Sequence, residues 1–287
     1  MTYLELMKPE LTGLSVLSAI CSYSVAWDGV SELWAVLWLS VGTLFVGGGA
    51  GALNEYFERD YDVHMRRTEK RPIPSGKITP LAALLFGNVI SIAGLMILAL
   101  LVNLLTAFLA ALTLATYLVL YTPLKRVTWW NTLVGAIPGA LPTLIGWAAA
   151  RNEINAGGWT LFAILFAWQI PHFLSLAWMY KKDYARAGFK MLPVVDDSGK
   201  RTSLHILSST VILIGLTVFA SWNGMAGFWY LACAILLGAG FLSFAFMFRR
   251  STLSNMPMAA NLYSRRVFFA SLVYLPALMV ALVADKL

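Results

Sequence analysis

Long apolar runs separated by short polar segments constrain the fold of this 287-residue chain more than any other feature of its sequence. Hydrophobic residues make up 59% of the chain and charged residues 12%, about half the charged share of an ordinary soluble protein. A soluble fold has too little interior to bury that much apolar surface. Because a membrane-spanning helix needs about 20 mostly apolar residues, the sequence predicts an all-α integral membrane protein with nine transmembrane helices. The predicted spans are 10–27, 33–53, 80–100, 103–121, 131–149, 158–180, 204–222, 225–248 and 266–284.

The basic residues predict how these spans are oriented. Lys and Arg concentrate in cytoplasmic loops, and with a cytoplasmic N-terminus 19 of the 21 basic residues fall on the inside. Only Arg151 and Lys286 do not. We therefore expect nine spans with the N-terminus cytoplasmic and the C-terminus outside, in the plasma membrane of a prokaryote. The net charge of +7 favours anionic lipid headgroups or an anionic substrate as partners, and no motif for nucleic-acid binding is present.

Charge is concentrated in two segments, Asn54–Lys77 and Lys181–Ser203, which together hold 20 of the 35 charged residues. Both follow an even-numbered span, so both are predicted on the cytoplasmic side. We interpret the chain as one polytopic domain, 1–287, whose cytoplasmic catalytic segments lie at 54–79 and 181–203. A charged loop often serves only to set the topology, but the five acids of the first segment argue against that simpler interpretation.

Three oxygen-bearing side chains recur at intervals of four in the first segment: Asn54, Glu58 and Asp62. On a helix that continues past the second span they form one stripe, with steps of about 6 Å. Mg²⁺ prefers oxygen ligands, commonly one or two carboxylates with water and substrate phosphate completing the shell. The stripe therefore suits a Mg²⁺-bound diphosphate. Basic residues just beyond it can bind phosphate oxygens; they are Arg66, Arg67, Arg71 and Lys77.

The stripe resembles the first acidic motif of the UbiA superfamily of intramembrane prenyltransferases, N-x-x-x-[DE]-x-x-x-D. The Arg67-Thr68-x-x-Arg71-Pro72 that follows is similar to the version in the heme-farnesylating branch of that superfamily. Three further stretches resemble that branch: Tyr121–Arg126, Pro171–Phe173 and Tyr180–Pro193. Together with the nine spans, the resemblance covers essentially the whole chain.

The second segment departs from the wider superfamily. Members that prenylate aromatic acids usually carry a second D-x-x-x-D, whereas here Asp183 is followed four positions later by Ala187. One acid then lies among several bases, which puts a fully paired second Mg²⁺ site in doubt. The same asymmetry is typical of the heme-farnesylating branch.

The resemblance implies transfer of the farnesyl group of farnesyl diphosphate to a vinyl group of heme B, which gives heme O and releases diphosphate. It implies Mg²⁺ as cofactor, with Asn54, Glu58 and Asp62 as metal and diphosphate ligands and Asp183 as a second acidic contributor. The implied phosphate contacts are Arg67, Arg71, Lys77, Lys181, Arg186 and Lys190.

His172 lies inside the sixth predicted span, where an ionisable residue is a functional candidate by default. It precedes Asp183 by eleven residues, close to three helical turns, so the spacing predicts that both side chains face the same way. As a catalytic candidate His172 could be a heme axial ligand, a propionate contact or a proton acceptor near the vinyl group. It could also be a hydrogen-bonded packing residue.

Two other functions compete with heme farnesylation. The nearer one is a related enzyme that prenylates an aromatic acid in quinone synthesis, against which Arg67-Thr68 and the single Asp183 argue. The more distant one is a secondary transporter, whose binding residues would lie near the membrane midplane and not at the cytoplasmic edge. Pathway logic adds association with a heme A synthase or a terminal oxidase as an expectation that no residue demonstrates.

Overall fold

The computed structural model describes residues 2–29 and 33–287, and within these ranges every regular element is helical. The long helices coincide with the predicted apolar runs, and several extend beyond them into the charged loops. The elements are α1 (Thr2–Leu6), α2 (Pro9–Ala26), α3 (Leu33–Asp62), α4 (Pro80–Leu101), α5 (Leu104–Ala115), a π-helix (Thr116–Tyr121), α6 (Thr122–Val127), α7 (Asn131–Arg151), α8 (Ala156–Met179), α9 (Lys181–Arg186), α10 (Leu192–Val195), α11 (Lys200–Trp222), α12 (Phe228–Leu253) and α13 (Pro257–Ala284).

Eight helices of the described chain are long and apolar enough to cross a membrane, counting α5, the π-helix and α6 as one. The first predicted span corresponds to the helix α2, which is 18 residues long. It is not one of these eight. Its sequence contains Glu10, Thr12 and four serines. The all-α membrane fold is confirmed, while the ninth span and the orientation of the termini stay predictions.

The polar side of α2 faces a neighbouring helix. Ser18 donates to the carbonyl oxygen of Leu14 at 2.9 Å, and Ser22 donates to that of Thr143 on α7 at 2.6 Å. Both serines are buried. In an apolar medium a hydroxyl needs such an acceptor, so the polar composition of α2 follows from its place in the interior of the bundle.

The helices form one bundle with two large apolar clusters and two smaller ones. One large cluster lies mainly among α8, α11, α12 and α13, and the other large cluster among α2, α3, α4, α5 and α7. The helices α2 and α7 pack against each other and link the two halves, and α2 also contacts α13. The segments 54–79 and 181–203 lie at the same end of this bundle, which we call the charged end.

Glycines permit the closest helix contacts. A Cβ on Gly94 of α4 would lie 2.8 Å from the carbonyl oxygen of Gly42 on α3, and one on Gly87 would lie 2.8 Å from the side chain of Leu53. Small residues at such crossings let backbones approach closely, which is how membrane helices gain packing energy without a hydrophobic effect between them.

We expect Gly146→Ala to destabilise the bundle. A Cβ at this position would overlap the backbone carbonyl oxygen of Ala19 on α2, which no side-chain rotation can relieve, and overpacking of this kind costs about 1–3 kcal/mol. Thermal unfolding of the purified protein in detergent measures the effect. Gly215→Ala is the matched control, because its Cβ meets nothing within 4 Å; equal midpoints for the two variants would contradict the packing argument.

Candidate active site

The last turns of α3 carry the predicted oxygen stripe. The helix continues to Asp62, nine residues beyond the predicted end of the second span. Asn54, Glu58 and Asp62 are 1%, 5% and 0% exposed. Burial of two carboxylates is costly unless cations and hydrogen-bond donors compensate them, so the partners of these side chains determine what the site can do.

Each member of the stripe is bonded to one cation, and the three cations come from three different parts of the chain. They lie before α2, in α6 and in the loop after α3. The pairs are Lys8 Nζ with Asn54 Oδ1 at 2.6 Å, Lys125 Nζ with Glu58 Oε1 at 2.6 Å, and Arg71 Nη1 with Asp62 Oδ2 at 2.7 Å. We call this set of six residues, which comprises two ion pairs and one lysine–amide hydrogen bond, the ion-pair ladder.

Lys8 and Lys125 are site residues that the sequence did not single out. Lys8 lies between α1 and α2 with a left-handed backbone, φ 49°. Burial, together with the nearby positive charges of Arg71 and Lys125, lowers the pKa of Lys8 to about 7. The signal that could have found it is the glycine-rich run 47–51 on α3. There a Cβ on Gly48 would lie 2.6 Å from the side chain of Met7, so these glycines admit the segment that carries Lys8.

Lys125 reaches the stripe from α6, which directly follows the π-helix. A π-helical stretch has more residues per turn than an α-helix, so it changes the direction in which the side chains after it point. The hydroxyl of Thr122 donates to the carbonyl oxygen of Tyr117 at 2.9 Å, and Lys125 Nζ lies 4.4 Å from the ring centre of Tyr121. The ammonium group is therefore held by the carboxylate of Glu58 and by an aromatic face.

Arg71 is fixed by contacts of its own loop. The backbone N–H of Ile73 donates to Glu55 Oε1 at 2.9 Å, and the hydroxyl of Thr68 donates to the carbonyl oxygen of Asp62 at 2.9 Å. Burial lowers the pKa of Arg71, but the adjacent Asp62 carboxylate outweighs it and raises the pKa above its ordinary value. The guanidinium group is thus positively charged at every physiological pH.

Two buried carboxylate oxygens at the stripe have no hydrogen-bond partner among the described residues: Asp62 Oδ1 and Glu55 Oε2. Unsatisfied buried acceptors are rare, and an oxygen of this kind beside a second carboxylate fits a divalent cation. No three His, Cys, Asp or Glu side chains gather into a metal site within ranges 2–29 and 33–287. Mg²⁺ binds oxygen ligands of this kind, here two carboxylates and an amide, while substrate phosphate completes its coordination shell.

The two charged segments pack on each other over the ladder. Met65 of the first and Phe189 of the second belong to one buried apolar cluster. Arg67 donates to the hydroxyl of Tyr184 at 3.2 Å, and the backbone N–H of Lys190 donates to the carbonyl oxygen of Lys125 at 2.7 Å. The second segment therefore forms part of the same site.

The predicted phosphate contacts are placed unequally. Arg71 belongs to the ladder, and Arg67, Arg186 and Lys190 are exposed on the packed loops. Lys77 instead pairs with Glu5 at 3.7 Å and Lys181 with Asp197 at 3.1 Å, so neither contacts the stripe. Asp183 is ion-paired with Arg186.

The continuous helix on which the predicted relation between His172 and Asp183 depends is interrupted in the structure. The helix α8 ends at Met179, and Tyr180 leaves the helical conformation with ψ 22°, so Asp183 lies on the separate helix α9. Helical spacing does not carry across that break. His172 stays inside the bundle, half-buried, with its ring stacked on that of Trp168 at 4.8 Å between centroids.

An apolar cavity lies between α2, α7, α8 and α13, toward the end of the bundle opposite the charged end. Leucines and one methionine form most of its wall, with Ser18, Cys21, Ser22 and Thr143 on one side. It is a small packing void, far below the volume of a ligand pocket.

Helical membrane architecture and a buried ladder of acids and bases define the class of this protein, an intramembrane enzyme. The sequence profile of the UbiA prenyltransferase family matches residues 15–282, and the chain belongs to that family.

Two similar curated proteins show where in the family the chain lies. The protoheme IX farnesyltransferase of Solibacter usitatus (strain Ellin6076) is 44% identical over 99% of this chain and 98% of its own length. The protoheme IX farnesyltransferase of Opitutus terrae (strain DSM 11246 / JCM 15787 / PB90-1) is 42% identical over 99% of this chain and 94% of its own.

Solved structures show the same fold at low identity. A structure described as digeranylgeranylglyceryl phosphate synthase aligns with a TM-score of 0.80 at 18% identity, over 99% of this chain and 98% of that chain. A UbiA homolog from Archaeoglobus fulgidus bound to GPP and Mg²⁺ aligns with a TM-score of 0.69 at 16% identity, over 99% and 100%.

We expect Lys125→Met to destabilise the protein by about 3–5 kcal/mol, because it leaves the buried Glu58 carboxylate without its ion pair. The side chains of this pair are 13% and 7% exposed. The double variant Glu58→Gln/Lys125→Met removes both charges and should recover most of the loss. Thermal unfolding in detergent measures both.

The control for this pair is Arg151→Met, whose partner Asp28 is 74% exposed. An exposed ion pair contributes little, so its loss should leave the unfolding midpoint unchanged. Equal effects for the buried and the exposed pair would show that the ladder does not stabilise the fold.

Proposed function

We propose that this enzyme transfers the farnesyl group of farnesyl diphosphate to a vinyl group of heme B, producing heme O and free diphosphate. The observation that carries the chemistry is the ion-pair ladder, a buried set of oxygen ligands and cations suited to a metal-bound diphosphate. The choice of heme B as acceptor rests on identity of 42–44% over nearly the whole chain to proteins named protoheme IX farnesyltransferase.

Asn54, Glu58 and Asp62 would hold Mg²⁺ through their side-chain oxygens, with the unsatisfied Asp62 Oδ1 as the clearest donor. The metal would neutralise charge on the departing diphosphate. Glu55 acts indirectly, because its bond to the N–H of Ile73 holds the loop that carries Arg71. All of these oxygens lie at the charged end of the bundle, where a water-soluble headgroup can enter.

The cations of the ladder would contact the diphosphate of the substrate as well as the acids of the stripe. Lys8, Lys125 and Arg71 each contact an oxygen of the stripe, so each lies within reach of phosphate oxygens held by the same stripe. Arginine binds phosphate in a fork and lysine as a point charge. Arg67, Arg186 and Lys190 on the packed loops would add further phosphate contacts, and Asp183 would orient Arg186 through their ion pair. Lys77 and Lys181 lie outside this group.

The reaction requires that the diphosphate depart and that the resulting cation be protected from water. Breaking the C1–O bond leaves an allylic cation, to which the vinyl π-electrons of heme B add to form the new C–C bond. Water then captures the cation next to the porphyrin ring and loses a proton, which completes the hydroxyethylfarnesyl group. An apolar bundle interior keeps water from the first cation.

His172 would bind the heme as an axial ligand. Aromatic rings on both faces hold its imidazole, namely Trp168 at 4.8 Å and Phe268 at 4.9 Å. This stacking limits rotation of the ring. The enzyme would work in the plasma membrane of a prokaryote, in contact with lipid, and next to a heme A synthase or terminal oxidase that takes up its product.

Purified enzyme supplied with farnesyl diphosphate, Mg²⁺ and heme B should yield heme O, identified by its mass and absorption spectrum. The same preparation should leave 4-hydroxybenzoate unmodified. Prenylation of the aromatic acid alone would assign the enzyme to quinone synthesis, and solute movement without turnover would assign it to transport; either result contradicts the proposal.

Asp62→Asn should abolish heme O formation while the variant folds, because the amide keeps the shape of the side chain but removes the charge and one metal-binding oxygen. Glu69→Gln is the matched control, since Glu69 is an exposed acid of the same loop, and its turnover should equal that of the wild type. Retained activity in folded Asp62→Asn, measured by product formation, would contradict metal binding by the stripe.

A further inference from the structure

Ser271 on α13 joins that helix to α8 through two hydrogen bonds. Its backbone carbonyl oxygen accepts from Trp168 Nε1 at 2.8 Å, and its hydroxyl oxygen lies 2.8 Å from His172 Nδ1. Ser271 is fully buried. The two donors on α8 are four residues apart, so one serine fixes two successive turns of the facing helix.

The hydroxyl proton of Ser271 is already committed within α13. Its Oγ lies 2.6 Å from the carbonyl oxygen of Phe268, and two oxygens so close repel each other unless a proton lies between them. A hydroxyl has one proton and two lone pairs. Toward His172 the Ser271 oxygen is therefore an acceptor, so the proton of that hydrogen bond must be on His172 Nδ1.

A neutral imidazole with its proton on Nδ1 has a free electron pair on Nε2. Among the described residues, the hydrogen bond of the His172 ring is made by Nδ1 and not by Nε2. Phe268 and Trp168 stack on the two faces of the ring at 28° and 18°, and Phe173 meets its edge at 76°. These rings limit rotation of the imidazole, so the electron pair points in a fixed direction.

We propose that Ser271 is a positioning residue that holds His172 in the Nδ1–H tautomer, so that Nε2 is the atom offered to the iron of the heme substrate. This inference rests on the proposed function, because it needs a heme. Histidines that bind metals generally donate their other N–H to a nearby acceptor, which fixes ring and tautomer. Here the acceptor is a serine whose own proton is engaged elsewhere.

The test compares Ser271→Ala, Ser271→Thr and Ser264→Ala. Ser264 is a matched control because it is buried on the same face of α13 and bonds α8 through the carbonyl oxygen of Ser175 at 3.1 Å, without contact to a histidine. Ser271→Ala keeps the bond from Trp168 to the backbone. Threonine keeps the hydroxyl, and its Oγ1 also bonds the carbonyl oxygen three or four residues earlier in a helix.

Heme B titrations followed by the Soret band give the readout. Loss of an outer-shell partner typically weakens metal binding about 10–100-fold. We expect that loss, with a shifted Soret band and a raised KM for heme B, in Ser271→Ala, while the KM for farnesyl diphosphate stays constant. Ser271→Thr should restore the wild-type spectrum, and Ser264→Ala should match the wild type throughout.

Histidine-selective ¹⁵N NMR of the wild-type enzyme checks the tautomer without any variant of Ser271. The spectrum should show His172, assigned by its loss in His172→Gln, with a protonated Nδ1 and an unprotonated Nε2. The reverse tautomer, or wild-type heme binding by folded Ser271→Ala, overturns the positioning role. If His172→Gln retains the wild-type Soret band, the iron contact is overturned as well. Failure of the proposed function looks different, because the wild type itself would then bind no heme B.

Discussion

The buried carboxylates of Glu58 and Asp62, at one end of an apolar bundle, are the constraint on which the remaining structure depends. Glu58 and Asp62 are almost fully buried, and uncompensated charges in such surroundings would unfold the protein or lose their ionisation. Compensation comes from Lys125 and Arg71, and Lys8 completes the ladder at Asn54. The N-terminal segment, the helix α6 and the loop after α3 must therefore meet at one place.

The helix packing brings these three parts of the chain together. Glycines on α3 admit the chain next to Lys8, since a Cβ on Gly51 would lie 3.0 Å from the carbonyl oxygen of Leu6. The π-helix leads into α6, from which Lys125 reaches Glu58, and the bond from Ile73 to Glu55 holds the loop of Arg71. Stability and chemistry depend on the same contacts, because the cations that make burial of the acids tolerable are also the groups suited to a phosphorylated substrate.

The sequence predicted those features that depend on local spacing. Hydropathy located the helices, and the interval of four placed Asn54, Glu58 and Asp62 on one face of α3, because a continuous helix converts spacing into direction. Lys8 and Lys125 escaped prediction because their approach to the stripe is set by packing between helices far apart in sequence. The spacing argument for His172 and Asp183 failed because the helix ends between them, at Tyr180. No strong helix terminator such as Gly or Pro marks that residue. Ser271, 99 residues from His172, carries no signal in the sequence at all.

The central claim is that the oxygen stripe binds the diphosphate through a divalent cation while the ladder cations contact its phosphates. Equilibrium binding of farnesyl diphosphate to the purified enzyme, compared in Mg²⁺ and in EDTA without heme present, measures this most directly. The account predicts tight binding in Mg²⁺, a sharp loss of affinity in EDTA, and no Mg²⁺-dependent gain in Glu58→Gln. Equal affinity of the wild-type enzyme for farnesyl diphosphate with and without Mg²⁺ would contradict it.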